Sequence, residues 1–190
     1  MKNIAIFASG EGTNAQNIIN YFKRSDIATV KLIISNNPKA NVLKRAQESG
    51  IDTLVVDRNT LYESEELLRI LKKATIDFIV LAGFLWKIPK NLIQAFPDKI
   101  INIHPSLLPK FGGKGMYGIH IHKAVIDAKE KQSGISIHFV NENYDEGQLI
   151  SQHNCTIDPA DTPETVAYKI HQLEREFFPK VIHKLLLTTA

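Results

Sequence analysis

Short apolar runs recur through the first half of the chain, and helical spacing recurs between them. Ile4, Ile6 and Phe7 form a run that ends at Ala8, and Val30–Ile34, Leu54–Val56, Phe78–Leu81 and Ile100–Ile103 repeat it. Phe78–Leu81 has no polar position, so as a strand it has to be covered on both faces. Among the intervening segments, Ile18, Ile19 and Phe22 share one helical face. Asn41–Ser49 reads as a helix stopped by Gly50, and Leu67, Leu68 and Leu71 mark another with Ser64 as its cap. Strands alternating with helices from the first residue predict a parallel sheet with helices on both faces.

The second half reads differently. After a Gly-rich stretch, His122–Ala128 is expected as a short helix, Ile135–Val140 as a strand with Ile135, Ile137 and Phe139 on one side, and Leu149–Thr156 as a further strand. Pro163 opens a long helix through Leu187, with Val166, Ile170, Leu173 and Phe177 as its apolar stripe and Pro179 as a kink. The expected fold class is therefore α/β: a Rossmann-like open, mostly parallel twisted sheet, helices on both faces, with antiparallel additions in the C-terminal half. No repeat or linker divides the 190 residues, which predicts one domain over 1–190. A net charge of +3 suits an anionic small molecule better than a nucleic acid. The start, MKNIAIFASGEG, reads as a strand and not a leader, and no run approaches the ~20 apolar residues of a membrane span. The expected compartment is the cytoplasm.

Two places carry chemistry. Ser9–Asn14, SGEGTN, follows the first strand and opens the first helix, where free backbone N–H groups and the positive helix end face outward. Gly10 and Gly12 let the backbone approach closely, and Thr13 and Asn14 add a hydroxyl and an amide. The loose dinucleotide pattern fits too, but the second strand ends in Ser35, Asn36 and Asn37 without the acid that would hold a ribose. A mononucleotide-like or ribose-phosphate anion site is the functional reading; a plain strand–helix turn is the other. The second place is the end of the fifth strand. Asn102 and His104 are two residues apart, so they share a face at the strand's carboxyl end, followed by Pro105 and a glycine-rich loop. An amide donor and an imidazole suit acyl transfer through a tetrahedral intermediate; a strand cap and a satisfied core histidine are the alternative. Asp145 and Glu146 in NYDEGQ are candidate partners for the imidazole. The single Cys155 excludes a cysteine-based metal cluster, and His120 and His122 lack a spaced third ligand. They read as surface or loop-anchoring histidines, and no metal is expected.

INIHPSLLP (Ile101–Pro109), SGEGTN (Ser9–Asn14), LAGFLWKIP (Leu81–Pro89) and HFVNENYDEGQLI (His138–Ile150) together resemble the folate-dependent phosphoribosylglycinamide formyltransferases of purine synthesis, over essentially the whole chain. NIHPSLLP alone is shared with methionyl-tRNA formyltransferases, formyltetrahydrofolate hydrolases and sugar N-formyltransferases. The resemblance implies formyl transfer from 10-formyltetrahydrofolate, as co-substrate, to the amine of glycinamide ribonucleotide, by a monomer or homodimer acting without nucleic acid or membrane. Asn102 would hold the formyl oxygen, His104 would act as general acid, and Asp145 would raise the pKa of His104. Gly10, Gly12, Thr13, Asn14, Pro105 and Glu174 would bind the ribonucleotide. Phe84, Leu85, Trp86, Lys87, Ile88, Asn102, Asn141 and Tyr144 would bind the folate. The phosphate-binding half would be about 1–100, and the catalytic and folate-binding half about 101–190. Two departures are visible: Trp86 and Lys87 stand where many members carry Arg, and in RNTLYESEE, ahead of the third helix where many members place an Arg to meet the folate tail, only Arg58 is at hand. The loop FGGKGMYGIH would cover the site as a flap. A nucleotide-binding module without turnover is the rival of another class.

Overall fold

The computed structural model describes residues 1–188; the last two positions of the expected 1–190 unit lie outside the described residues. The strands are Lys2–Phe7 (β1), Ala28–Ser35 (β2), Asp52–Val55 (β3), Phe78–Leu81 (β4), Ile100–His104 (β5), Gln132–Phe139 (β6) and Leu149–Thr156 (β7). They form one sheet in the order β3-β2-β1-β4-β5-β6-β7. β1 to β5 pair in parallel, and β6 and β7 each run antiparallel to their predecessor. The expected mixed sheet is the one observed. The helices are Thr13–Phe22 (α1), Asn41–Glu48 (α2), Glu66–Lys73 (α3), Lys90–Ala95 (α4), Ile119–Asp127 (α5) and Pro163–Thr188 (α6), with one π-helical turn at Asn59–Glu63. That turn and α4 were not expected. β3 begins two residues earlier than its apolar run, α5 three residues earlier than predicted, and β6 three residues before Ile135. Ser64 lies one residue before the cap position of α3, and its hydroxyl accepts the Glu66 N–H at 3.3 Å.

Alternate residues of each strand feed two cores, as period two requires. Ile4 and Ile6 face the layer of α1, α2 and α6, meeting side chains such as Ile18, Val42 and Ile170. Ala5 and Phe7 face the opposite layer, with Leu67 of α3 and Leu92 of α4. Phe7, Phe78 and Phe178 are fully buried, and each such side chain stabilises the fold by about 1.5–3 kcal/mol.

The pattern changes at β5. Ile101 and Ile103 join the first core, so Asn102 and His104 take the other face. Directly opposite them on β6 stand His138 and Ser136. The chain after β5 folds back over this polar strip: Ser136 Oγ donates to the Ser106 carbonyl at 2.7 Å and accepts the Leu108 N–H at 2.9 Å. A sheet face that elsewhere packs oil is here tiled with hydrogen-bonding groups.

α6 also departs from expectation. Its buried stripe is Val166, Ile170, Glu174, Phe178, Ile182 and Leu186, spaced by four, while Leu173 and Phe177 sit at its half-buried margin. The helix continues through Pro179. Proline lacks the N–H that would reach the Arg175 carbonyl, and the Asn17 side chain of α1 donates to that carbonyl instead, at 2.8 Å. The freed acceptor thus becomes a tie between α1 and α6.

Candidate active site

In this strand order the chain turns one way from β1 to β2 and β3, then jumps back to β4 on the other side. Crevices at such reversals, beyond the strands' carboxyl ends, are where open α/β sheets bind ligands. A cleft of about 710 Å³ lies there. Along it lie the residues that the resemblance assigned to catalysis and binding: Gly10, Gly12, Thr13 and Asn14 after β1, Phe84 to Ile88 after β4, Asn102, His104 and Pro105 at the end of β5, Asn141, Tyr144 and Asp145 after β6, and Glu174 on α6. Gly113 to Gly118 of the glycine-rich loop line it as well.

Ser9 joins the two loops at the crossing. Its hydroxyl donates to Asn36 Oδ1 at 2.6 Å and accepts the Leu85 N–H at 2.9 Å. Gly12 has φ +71° just before α1, and a Cβ there would come within 2.8 Å of Val42 Cα. Its need for glycine therefore comes from α2 behind the loop. Gly10, by contrast, has open space where a Cβ would go. The Asn14 amide, expected near a phosphate, donates to Glu174 Oε2 at 2.9 Å. Burial pushes the Glu174 carboxyl up, against the opposing pull of Asn14 and His171.

At the other end of the cleft, Asp145 is reached from three elements. Its Oδ2 lies 3.5 Å from His104 Nδ1 and accepts the Gly113 N–H at 2.9 Å, while its Oδ1 lies 3.4 Å from Asn102 Nδ2 and 3.6 Å from His138 Nε2. Burial raises its pKa, but the neighbouring His138 and His104 imidazoles and the Gly113 N–H outweigh burial and hold it below the ordinary carboxylate value. Asp145 sits at φ +56°, a left-handed conformation that its tight turn imposes. Glu146, the other candidate, accepts from the Asn143 amide instead.

The ring nitrogens of His104 are fixed by their neighbours. Nε2 lies 2.8 Å from the Phe111 carbonyl, which can only accept, so Nε2 carries a proton and Nδ1 is the titrating nitrogen, facing Asp145. Burial lowers the His104 pKa; Asp145 and the Phe111 carbonyl raise it, and His138 lowers it. The net direction is down. Asp145 thus acts with the expected sign, and burial acts against it.

His138 was not singled out. Its Nδ1 donates to the Phe139 carbonyl at 2.8 Å, which leaves Nε2 to accept from Asn102 at 3.2 Å. The signal was present: Ser136 and His138 alternate with Ile135 and Ile137 in a strand that had to be buried. His120 and His122 also separate. On a helix, residues two apart point in different directions; His120 is exposed beside Tyr117, whereas His122 is buried and lines the cleft. That corrects the reading of His122 as a surface or loop residue. Among the described residues no group of three or more His, Cys, Asp or Glu is placed to hold a metal ion, and no helix is long and apolar enough to cross a membrane.

On the folate-expected side, Arg58 lies 5.0 Å from the Trp86 ring, Lys87 lies 5.9 Å from the Tyr144 ring, and the Tyr62 hydroxyl donates to the Lys87 carbonyl at 2.9 Å. The cleft therefore has an aromatic, cationic end, a polar centre and a helix-start end.

An open α/β sheet whose cleft beyond the strand ends holds an amide, two imidazoles and a carboxylate from β5, β6 and the loop after β6 defines a doubly wound protein with a polar site. The chain belongs to the formyl transferase family, whose sequence model matches residues 2–182. It is 39% identical over 187 residues to a chloroplastic phosphoribosylglycinamide formyltransferase of Arabidopsis thaliana, covering 95% of this chain and 64% of that one. It is 36% identical over 192 residues to the Bacillus subtilis phosphoribosylglycinamide formyltransferase, covering 98% and 95%. A crystal structure of phosphoribosylglycinamide formyltransferase from Bacillus halodurans superposes with TM-score 0.87 at 39% identity, covering 97% of this chain and 95% of that one. The chain spans 64% of the Arabidopsis relative's length and 14% of a Drosophila melanogaster trifunctional purine biosynthetic protein.

Proposed function

We propose that this chain transfers the formyl group of 10-formyltetrahydrofolate to the amine of glycinamide ribonucleotide, as a cytoplasmic step of purine synthesis. The observation that carries the reading is the meeting of Asn102, His104 and Asp145 in a cleft whose other end is the start of α1. Relatives of similar length named for this reaction support it.

In this reading Gly10, Gly12 and Thr13 offer backbone donors to the acceptor's phosphate, Pro105 packs beside its sugar, and Glu174, steadied by Asn14, meets the ribose. The folate ring lies against Phe84, Leu85 and Ile88 and the loop of Asn141 and Tyr144, with Trp86 and Lys87 at the tail. The neutral amine attacks the formyl carbon, and an Asn102 amide hydrogen meets the oxygen as it gains charge. His104 begins neutral, accepts a proton from the attacking nitrogen, and is held as imidazolium by Asp145. The carbon–N10 bond then breaks, His104 returns the proton to N10, and tetrahydrofolate leaves. Two of the three catalytic side chains, His104 and Asp145, are engaged by the glycine-rich loop, through the Phe111 carbonyl and the Gly113 N–H. Substrates exchange with those contacts when the loop lifts from the centre of the cleft.

Purified protein mixed with formyl donor and glycinamide ribonucleotide should release tetrahydrofolate, followed by absorbance. Release without acceptor would favour a hydrolase, turnover only with an amino sugar nucleotide would favour a sugar N-formyltransferase, and binding without turnover would favour a nucleotide-binding module.

A further inference from the structure

The sheet has two edges, β3 and β7, and they are built differently. β3 is four residues long and opens on Asp52, and short length and a charge both discourage a further strand from pairing there. β7 is eight residues long and reads LISQHNCT, with no Asp, Glu, Lys, Arg or Pro.

The register says which groups of β7 point outward. The Ile157 N–H donates to the Lys131 carbonyl at 3.0 Å, and Cys155, His153 and Ser151 stand opposite Ser133, Ile135 and Ile137. In an antiparallel ladder bonded pairs recur at every second residue, so these three spend their backbone groups on β6. Gln152, Asn154 and Thr156 turn theirs the other way, and all three residues are exposed. Among the described residues the Gln152 and Asn154 N–H and C=O groups meet no partner, and the Thr156 carbonyl takes the Lys169 ammonium at 3.1 Å. The other end of the strand is interrupted. Ile137 pairs with Ser151 and His138 with Leu149, so Ile150 bulges out of register. The straight, open part of the edge is centred on Asn154.

Charge and closure decide the occupant. Lys169 beside this edge is already paired with Asp158 and Asp161 at 2.7 and 2.6 Å. Lys180, which lies over the Phe177 ring stacked on His153, is paired with Glu176 at 3.3 Å. A charged peptide finds no free counter-charge on such a strand, whereas a copy of the same neutral strand meets no like charge. Two β7 strands related by a two-fold axis also close the assembly, leaving only the short, charged β3 edges.

We propose that β7 is a dimerisation edge, on which two copies of this chain pair antiparallel about a two-fold axis at Asn154. Asn154 exchanges both backbone hydrogen bonds with Asn154 of the partner subunit, and Gln152 does so with the partner subunit's Thr156. The two sheets become one. Strand pairing with little apolar area makes this a weak dimer, in the micromolar range or above. It does not depend on the transfer reaction.

Sedimentation equilibrium of the wild type from micromolar to millimolar concentration should show the mass rising toward twice that of the monomer. Amide exchange followed by NMR over the same range should slow with concentration at Gln152, Asn154 and Thr156, while Ser151, His153 and Cys155 stay protected throughout. Asn154→Lys sets two ammonium groups against each other at the axis and should weaken the dimer by about fivefold or more. Asn154→Pro removes an N–H that β6 does not use, and it should leave a monomer at every concentration. Asn154→Lys alters no backbone group, so it carries the comparison if the proline variant fails to fold. A wild type that stays monomeric at millimolar concentration overturns the proposal. So does a dimer that Asn154→Lys keeps at full strength, or one whose three outward amides exchange as fast as in the monomer.

Discussion

At the residue scale the chemistry turns on how Asp145 and burial oppose one another at His104. The two residues are distant in sequence, and the carboxylate reaches Nδ1 at 3.5 Å. Asp145→Asn keeps the shape and removes the charge that raises the His104 pKa. That pKa, already below the ordinary histidine value because of burial, should fall further in an NMR titration of the ring. Turnover at neutral pH should drop by about 10²–10⁴, the range of a lost acid–base function, with acceptor affinity changed far less. An unmoved pKa would remove the electrostatic role and leave Asp145 as a loop-ordering residue. Asn102→Ala should cost about 10²–10³ in turnover; near-full turnover in a folded variant would reduce Asn102 to a strand cap. His122 gives a stability test. Its pKa is lowered to about 4 by burial and by His171 and His104, against 6.5 in the unfolded chain. Between those values the unfolded chain binds more protons, so its contribution is complete above pH 6.5 and is lost as pH falls toward 4, roughly 3 kcal/mol in all. Melting temperature against pH should show this acid limb in the wild type and a shallower one in His122→Phe.

At the element scale the turn between β1 and α1 separates two glycines that look alike in the sequence. Gly12 is required by its φ of +71° and by the α2 backbone behind it, whereas Gly10 meets nothing within 4 Å. Gly12→Val should therefore lower the melting temperature as well as acceptor affinity. Gly10→Val should keep the melting temperature and weaken the acceptor alone, measured by thermal melts and acceptor titration side by side. Equal binding of the riboside and the ribonucleotide would argue that this turn holds no phosphate. The turn was legible because a strand, two glycines and a helix start stand in a fixed order. The parallel strands were legible because short, mostly apolar runs such as Phe78–Leu81 alternate with helically spaced segments. The six-residue α4 and the π-helical turn were not, since neither is long enough to show a period. The stripe of α6 was misread because a carboxylate, Glu174, occupies its centre and erases the apolar signal where the helix lines the cleft. His138 escaped because a sequence does not state which strand will lie opposite Asn102.

At the scale of the whole molecule, the acceptor's expected contacts come from both ends of the chain: Thr13 at the start of α1 and Glu174 near the end of α6, with Asn14 already bonded to Glu174 and Asn17 to Arg175. A ligand seated there binds only when α1, the β5 end and α6 are assembled, so it should stabilise the fold as a unit. At a concentration one hundred times its Kd, such a ligand adds about 2.7 kcal/mol. For a chain of this size that is a rise of about 5–10 °C in melting temperature. Amide exchange should slow in α1 and α6 together, because opening either one would break the site that the ligand holds. The riboside, lacking the phosphate, should give a much smaller shift at the same concentration. A full thermal shift with protection confined to the 111–118 loop would mean that the acceptor is gripped by the loop alone, and the joint α1–α6 site would have to be given up.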